Sequence, residues 1–187
     1  MKLASARLAN TFSKLDESLE MVGEMVAEGH RILLFSQFTS MLDLMKPTLD
    51  AAGIRYLEQR GDTVDRAAPV QRFEASEVPL FLISLKAGGR GLNLTSADTV
   101  IHYDPWWNPA VEDQVSDRAH RIGQTKSVFV YKLIAADTVE ERILELQERK
   151  AALASIAFGD EGSGLAAMDS DDIEFLFGTA RGDWQPE

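Results

Sequence analysis

Three glycines fall within four residues, Gly88, Gly89 and Gly91, just after the apolar run Leu80 to Ser84, with Lys86 and Arg90 set among them. Backbone without Cβ atoms turns tightly and brings bare N–H groups close to an anion, and the two cations add positive charge. A phosphate suits this arrangement. The same glycines also serve a tight strand-to-helix turn that holds no ligand, and the residues alone leave both readings open.

A second constellation is Gln114, Arg118 and Arg121 in VEDQVSDRAHRIGQ. Asn108 is a good helix N-cap and Pro109 suits the first helical position, so a helix is expected from there, with Glu112 and Asp113 complementing its positive end. Spacings of four and three then put Gln114, Arg118 and Arg121 on one face. Two guanidiniums on one side of a helix can clamp a triphosphate as charge develops in the transition state, worth roughly 3 to 5 orders of magnitude in rate. Lysine lacks the planar fork. Flanked by Glu112, Asp113 and Asp117, the same arginines can instead make only surface ion pairs. Trp106 and Trp107 follow a strand end, where one ring can pack while the other meets a base or sugar, or both can cover the core. Ser36, Gln37 and Thr39 follow the first apolar run; they either touch phosphates or, in the case of Thr39, cap the next helix. His102 and His120 are expected to be structural.

Several chemistries lack their residues. A phosphate-binding P-loop needs Gly-Lys followed by Ser or Thr, and the chain contains no Gly-Lys pair. The acidic pairs Asp16-Glu17 and Asp160-Glu161 are expected to be solvated, on a helix and in a Gly-rich loop. There are no cysteines, and His30, His102 and His120 lack ligand spacing, so no metal site is expected. With a net charge of -11, nucleic-acid contact would have to be local, because non-specific binding needs clustered Lys and Arg. No apolar run approaches the roughly 20 residues that span a bilayer, and no secretory signal opens the chain, so a cytoplasmic protein without membrane contact is expected.

The elements that would position these residues alternate. Phe12, Leu15, Leu19, Val22 and Val26 line one face of an opening helix that Gly29 ends. The short apolar runs Ile32 to Phe35, Ile54 to Leu57, Leu80 to Ser84, Val100 to Tyr103 and Val128 to Leu133 read as buried strands. Helices are expected between them, at Thr39 to Ala52 closed by Gly53, at Asp65 to Glu74, and from near Asn108. Continuous apolar strands alternating with helices predict an α/β fold with a mainly parallel sheet covered on both faces. Asp137 and Glu140 are placed as a capping box for a charged helix with the stripe Val139, Ile143 and Leu146, running to about Ile156 and bracing the sheet. Gly159 to Gly164 reads as a flexible link. Asp169 to Phe177 reads as a short acidic helix with Ile173, Leu176 and Phe177 as its apolar side, and the last ten residues as loose. The expected division is a helix in 1–29, the α/β lobe in 30–136, the brace helix in 137–158 and an acidic tail in 159–187. The composition, 45% hydrophobic and 26% charged, is that of a folding chain.

Taken in order, RILLFSQFTSMLDL, GDT followed by Arg66, LFLISLKAGGRGLNLTSADTVIHYDPWWNP and DQVSDRAHRIGQ resemble motifs four to six of the Swi/Snf-type DNA-dependent ATPases of helicase superfamily two. The resemblance covers roughly residues 14 to 157. It implies a three-layer RecA-like second lobe facing an N-terminal P-loop lobe across an ATP cleft, with double-stranded DNA across both. Arg118 and Arg121 match the arginines that reach the nucleotide phosphates, Gln114 the glutamine that begins that motif, and Gly89, Gly91 and Asn93 fall where the nucleotide is bordered. Ser36, Gln37, Gly61, Asp62, Thr63, Lys86, Ala87 and Gly88 match positions along the DNA backbone, and Trp107 the tryptophan at the groove. Gln59 and Arg60 depart from the family's usual residues, which weakens the match of that loop.

ATP with Mg2+ is then expected to be held mainly by the first lobe, with nothing bound tightly to this chain alone. The start at Met1, just ahead of the lobe, is expected to mark a cloned fragment or one subunit of a split protein. The reading is of half an ATP-driven duplex translocase, acting on DNA or a DNA-bound protein, nucleoid-associated and bacterial from its compact motif spacing. A strand-separating helicase lobe and a non-catalytic protein-interaction module are the alternatives.

Overall fold

The computed structural model describes residues 2–8, 11–88, 94–108, 112, 127–158 and 170–177. Six parallel strands, β1 (Lys2–Leu8), β2 (Ile32–Ser36), β3 (Tyr56–Gln59), β4 (Leu80–Ser84), β5 (Thr99–His102) and β6 (Phe129–Ala135), form one sheet in the order β1-β6-β5-β2-β4-β3. The helices among the described residues are α1 (Thr11–Ala27), α2 (Thr39–Ala51), α3 (Ala67–Glu74), the single turn α4 (Leu85–Gly88), α5 (Val139–Phe158) and α6 (Ser170–Phe177).

The apolar runs are buried on both sides because helices cover both faces. Leu33, Phe35, Leu57, Phe81, Ile83, Val100 and Val130 pack with Phe73 of α3 on one face. Ile32, Leu34, Leu80, Leu82, Ile101 and Leu133 pack on the other with Leu19 and Val22 of α1 and Leu42, Met45 and Leu49 of α2. This is the three-layer arrangement expected.

Helix ends follow from backbone chemistry. Gly29 and Gly53, at φ +87° and +67°, let α1 and α2 end in Schellman motifs: His30 N–H bonds the Met25 carbonyl and Ile54 N–H the Leu49 carbonyl, both at 2.9 Å. Because Ile54 gives its N–H to this cap, the strand expected from Ile54 begins only at Tyr56. Ser76, at φ 62°, closes α3 in the same way without a glycine.

Two expectations are corrected. The opening helix does not fill residues 1–29: Lys2–Leu8 is a strand, paired from Lys2↔Phe129 to Leu8↔Ala135, so β6 is not the sheet edge. Seven residues are too few for a stable isolated helix, and the open hydrogen-bonding edge of β6 decides their conformation. The expected Asp137–Glu140 capping box does not form, and Thr138 caps the helix instead. Asp137 sits at φ 58°, outside the helix; the Thr138 hydroxyl accepts Glu140 N–H at 3.1 Å, and the Glu141 carboxylate accepts Asp137 N–H at 3.0 Å.

Glu140 turns inward instead. It accepts Ala135 N–H at 2.8 Å and pairs with Lys14 of α1 at 2.6 Å, tying the first helix to the brace helix. The acidic helix α6 docks on α5: Leu176 is buried, Lys150 pairs with Asp172, Arg142 Nη1 donates to the Leu176 carbonyl at 3.2 Å, and the Arg149 guanidinium lies 4.8 Å from the Phe175 ring centroid. The link at Gly159 to Gly164 and the last ten residues lie outside the described residues.

Candidate functional site

In a fully parallel sheet every strand ends at the same edge, so the loops after β2, β3, β4 and β5 converge, as is usual for ligand sites of α/β folds. These loops carry Ser36 and Gln37, Gly61 to Thr63, Lys86 to Gly88, and Trp106 and Trp107.

After β2, Ser36 is fully buried. Its hydroxyl donates to the Asp104 carboxylate, which also accepts Gln37 N–H at 3.2 Å. The Ser36 side chain therefore fixes the loop and does not face a ligand; Gln37 is half-buried and Phe38 is exposed. Burial pushes the Asp104 carboxyl above its usual range, tempered by the Ser36 hydroxyl and the Lys14 charge. The Lys14 ammonium also lies 4.7 Å from the Tyr103 ring centroid, and burial pushes the Tyr103 phenol up to about 12, helped by Asp104 and Glu140.

After β3, residues 60–63 form a turn in which Thr63 Oγ1 accepts Arg60 N–H at 2.9 Å. Arg66 pins it, donating to the Gly61 carbonyl at 2.5 Å and the Thr63 carbonyl at 3.2 Å. Gly61 and Asp62 are exposed and Thr63 half-buried. A Cβ on Gly61 would meet Lys86 Cβ at 3.7 Å, so this turn lies beside the loop after β4. Lys86 is exposed there, whereas Ala87 and Gly88 are buried and have only backbone to offer. Arg60 is not an available cation, because Glu58 and Asp43 both pair with it.

After β5 the two indoles lie 6.2 Å apart at 38°. Trp106 packs against the core, and Trp107, half-buried, has the Lys150 ammonium 5.7 Å from its ring centroid. Glu112 accepts the Trp106 N–H and pairs with Lys132 of β6 at 2.6 Å, while Gln147 of α5 donates to the Trp106 carbonyl. His102 is buried, stacked on Phe35 at 5.8 Å, and structural as expected. Its burial, with the nearby Lys132 charge, pushes its pKa down to about 3.

Gly89, Arg90, Gly91, Asn93, Gln114, Arg118, His120 and Arg121 lie outside the described residues. Among the described residues no group of three His, Asp or Glu is placed to hold a metal ion, and no helix is long and apolar enough to cross a membrane. Sequence reasoning missed the pairings of the buried Lys14, Asp104, Lys132 and Gln147 and of the half-buried Glu140. The available signals were a lysine inside the apolar run Val128 to Leu133 and a glutamine on the brace helix one residue from its buried Leu146.

Residues 12–123 match the family described as the helicase conserved C-terminal domain. Over 91% of its length the chain is 39% identical to the putative ATP-dependent helicase/translocase YwqA of Bacillus subtilis, of which it covers 19%. Over 73% of its length it is 47% identical to the chromatin-remodeling ATPase INO80 of Neurospora crassa, of which it covers 7%. The chain thus spans less than a fifth of either relative. The crystal structure of the C-terminal part of the Fun30 ATPase domain superposes with a TM-score of 0.68 at 37% identity, covering 72% of this chain and 45% of that one. Motif order, the parallel three-layer fold and these similarities agree: the chain belongs to the helicase conserved C-terminal domain family, as a RecA-like C-terminal lobe of the Swi/Snf type.

Proposed function

We propose that this lobe forms one wall of an ATP site whose other wall is an N-terminal P-loop lobe, and that the pair moves along double-stranded DNA. The observation that carries this is the convergence of Gln37, Gly61 to Thr63, Lys86 and Trp107 at one sheet edge of a helicase-family lobe. Arg118 and Arg121 then reach the phosphates and stabilise the charge that develops as the terminal phosphoryl transfers, with Gln114 beside them and Gly89, Gly91 and Asn93 bordering the nucleotide. The chain has no Gly-Lys pair, and its described residues hold no metal-ligand cluster, so its donor set fits the arginine wall and not the phosphate cradle. Mg2+, held by the first lobe, supplies neutralisation of the phosphate oxygens.

On the DNA side, Lys86 and the exposed backbone at Gly61 and Asp62 meet backbone phosphates, with Ala87 and Gly88 contributing through the main chain. Such contacts are independent of sequence. The net charge of -11 confines DNA to this edge and makes its binding weak and salt-sensitive for the chain alone. ATP turnover by the chain alone is negligible, and the protein works in the cell's DNA-containing compartment.

The test is ATP hydrolysis by the two-lobed protein with and without duplex. Stimulation by duplex without strand separation is the expected result. Stimulation confined to single strands, or coupled to unwinding, would favour a strand-separating helicase, and no nucleic-acid response at all would favour a docking module.

A further inference from the structure

Four groups close a ring of three hydrogen bonds and one ion pair at the Trp106 backbone. Glu112 accepts Trp106 N–H through Oε1 and pairs with Lys132 Nζ through Oε2 at 2.6 Å. Lys132 Nζ donates to Gln147 Oε1 at 3.4 Å, and Gln147 Nε2 donates to the Trp106 carbonyl. The Glu112 side chain is fully buried, that of Lys132 is 11% exposed, and Gln147 is buried. One ring thus joins β6, α5, the loop after β5 and Glu112, which is itself helical.

Apolar side chains of similar volume would hold a sheet and a helix together at least as well as a buried ion pair. What a closed polar ring adds is geometry, since each member has a fixed partner and direction. From Glu112 the chain runs six residues to Arg118 and nine to Arg121. Both backbone groups of Trp106 are gripped, one by Glu112 and the other from the brace helix.

We propose that Glu112, Lys132 and Gln147 are positioning residues for the arginine-bearing segment, locking its entry and the tryptophan loop to the brace helix. The inference rests on the ATP-site role of Arg118 and Arg121 given above. A displacement of about 1 Å at a catalytic group costs on the order of 10²-fold in rate. Because the arginines act on charge that appears in the transition state, the loss falls on kcat and not on KM.

The experiment measures duplex-stimulated ATP hydrolysis by the two-lobed protein carrying Gln147→Met or Gln147→Glu, beside Arg121→Ala. Both Gln147 variants remove the donor to the Trp106 carbonyl; the second keeps an acceptor for Lys132. The expected result is a fall in kcat of about 10- to 100-fold with KM for ATP and duplex affinity within about threefold. If folded variants keep kcat within about twofold while Arg121→Ala is inactive, the positioning role is overturned and the ATP-site reading stands. A rise in KM at unchanged kcat, or failure of both variants to fold, would assign Gln147 to binding or to stability alone and overturn the inference. Turnover by Arg121→Ala would remove the ATP-site reading, and the positioning role with it.

Discussion

His102 makes the fold's stability depend on pH with a sign and size that its burial sets. The ring is 1% exposed, and its pKa falls from 6.5 to about 3. Between those values the unfolded chain binds a proton that the folded chain refuses, so stability rises with pH through this window, is complete above about 6.5, and is lost as pH falls. The full gap between 6.5 and about 3 amounts to ~5 kcal/mol at ~1.4 kcal/mol per pH unit. Over the experimentally convenient range from about pH 7.5 to 4.5 the loss from this one ring is about 2.5 kcal/mol. The assay is urea unfolding of this chain across that range, beside His102→Phe, which keeps a ring stacked on Phe35. Only the pH dependence is compared, so any change in absolute stability from the substitution cancels. The natural chain should lose about 2.5 kcal/mol more than the variant on acidification. Curves that run parallel to within about 0.5 kcal/mol would refute the claim that His102 is held neutral by burial.

Two further outcomes are expected. Lys14→Met leaves the Glu140 carboxylate without its ammonium; with side chains 2% and 22% exposed, the loss should be about 2 to 4 kcal/mol by urea unfolding, and Lys14→Met with Glu140→Gln should recover more than half of it. Gly53→Ala meets no atom within 4 Å of the new Cβ, so its cost is the left-handed backbone alone, about 1 to 2 kcal/mol, read as a lower urea midpoint at unchanged slope.

Where a local rule governs, the sequence was legible. Gly29 and Gly53 mark the ends of α1 and α2 because Schellman caps need left-handed backbone, and the apolar runs become strands because a parallel sheet is buried on both faces. Ser76 performs the same capping with no glycine to announce it, and Lys2–Leu8 becomes a strand only because β6 offers an edge. In the site, the order of the motifs marked the loops after β2 to β5. The fate of Ser36 did not show, because its partner Asp104 lies 68 residues away. By type and position Glu112 complements a helix end, yet its side chain is fully buried against Lys132 of β6. Partners so distant in sequence leave no periodic trace.

The most direct test of the central claim is ATP turnover and ATP binding, measured together, in the two-lobed protein carrying Arg121→Ala. An arginine supplied across the cleft acts on the transition state, so duplex-stimulated turnover should fall by about 10³-fold or more while ATP still binds. A loss of less than about twofold would contradict the account.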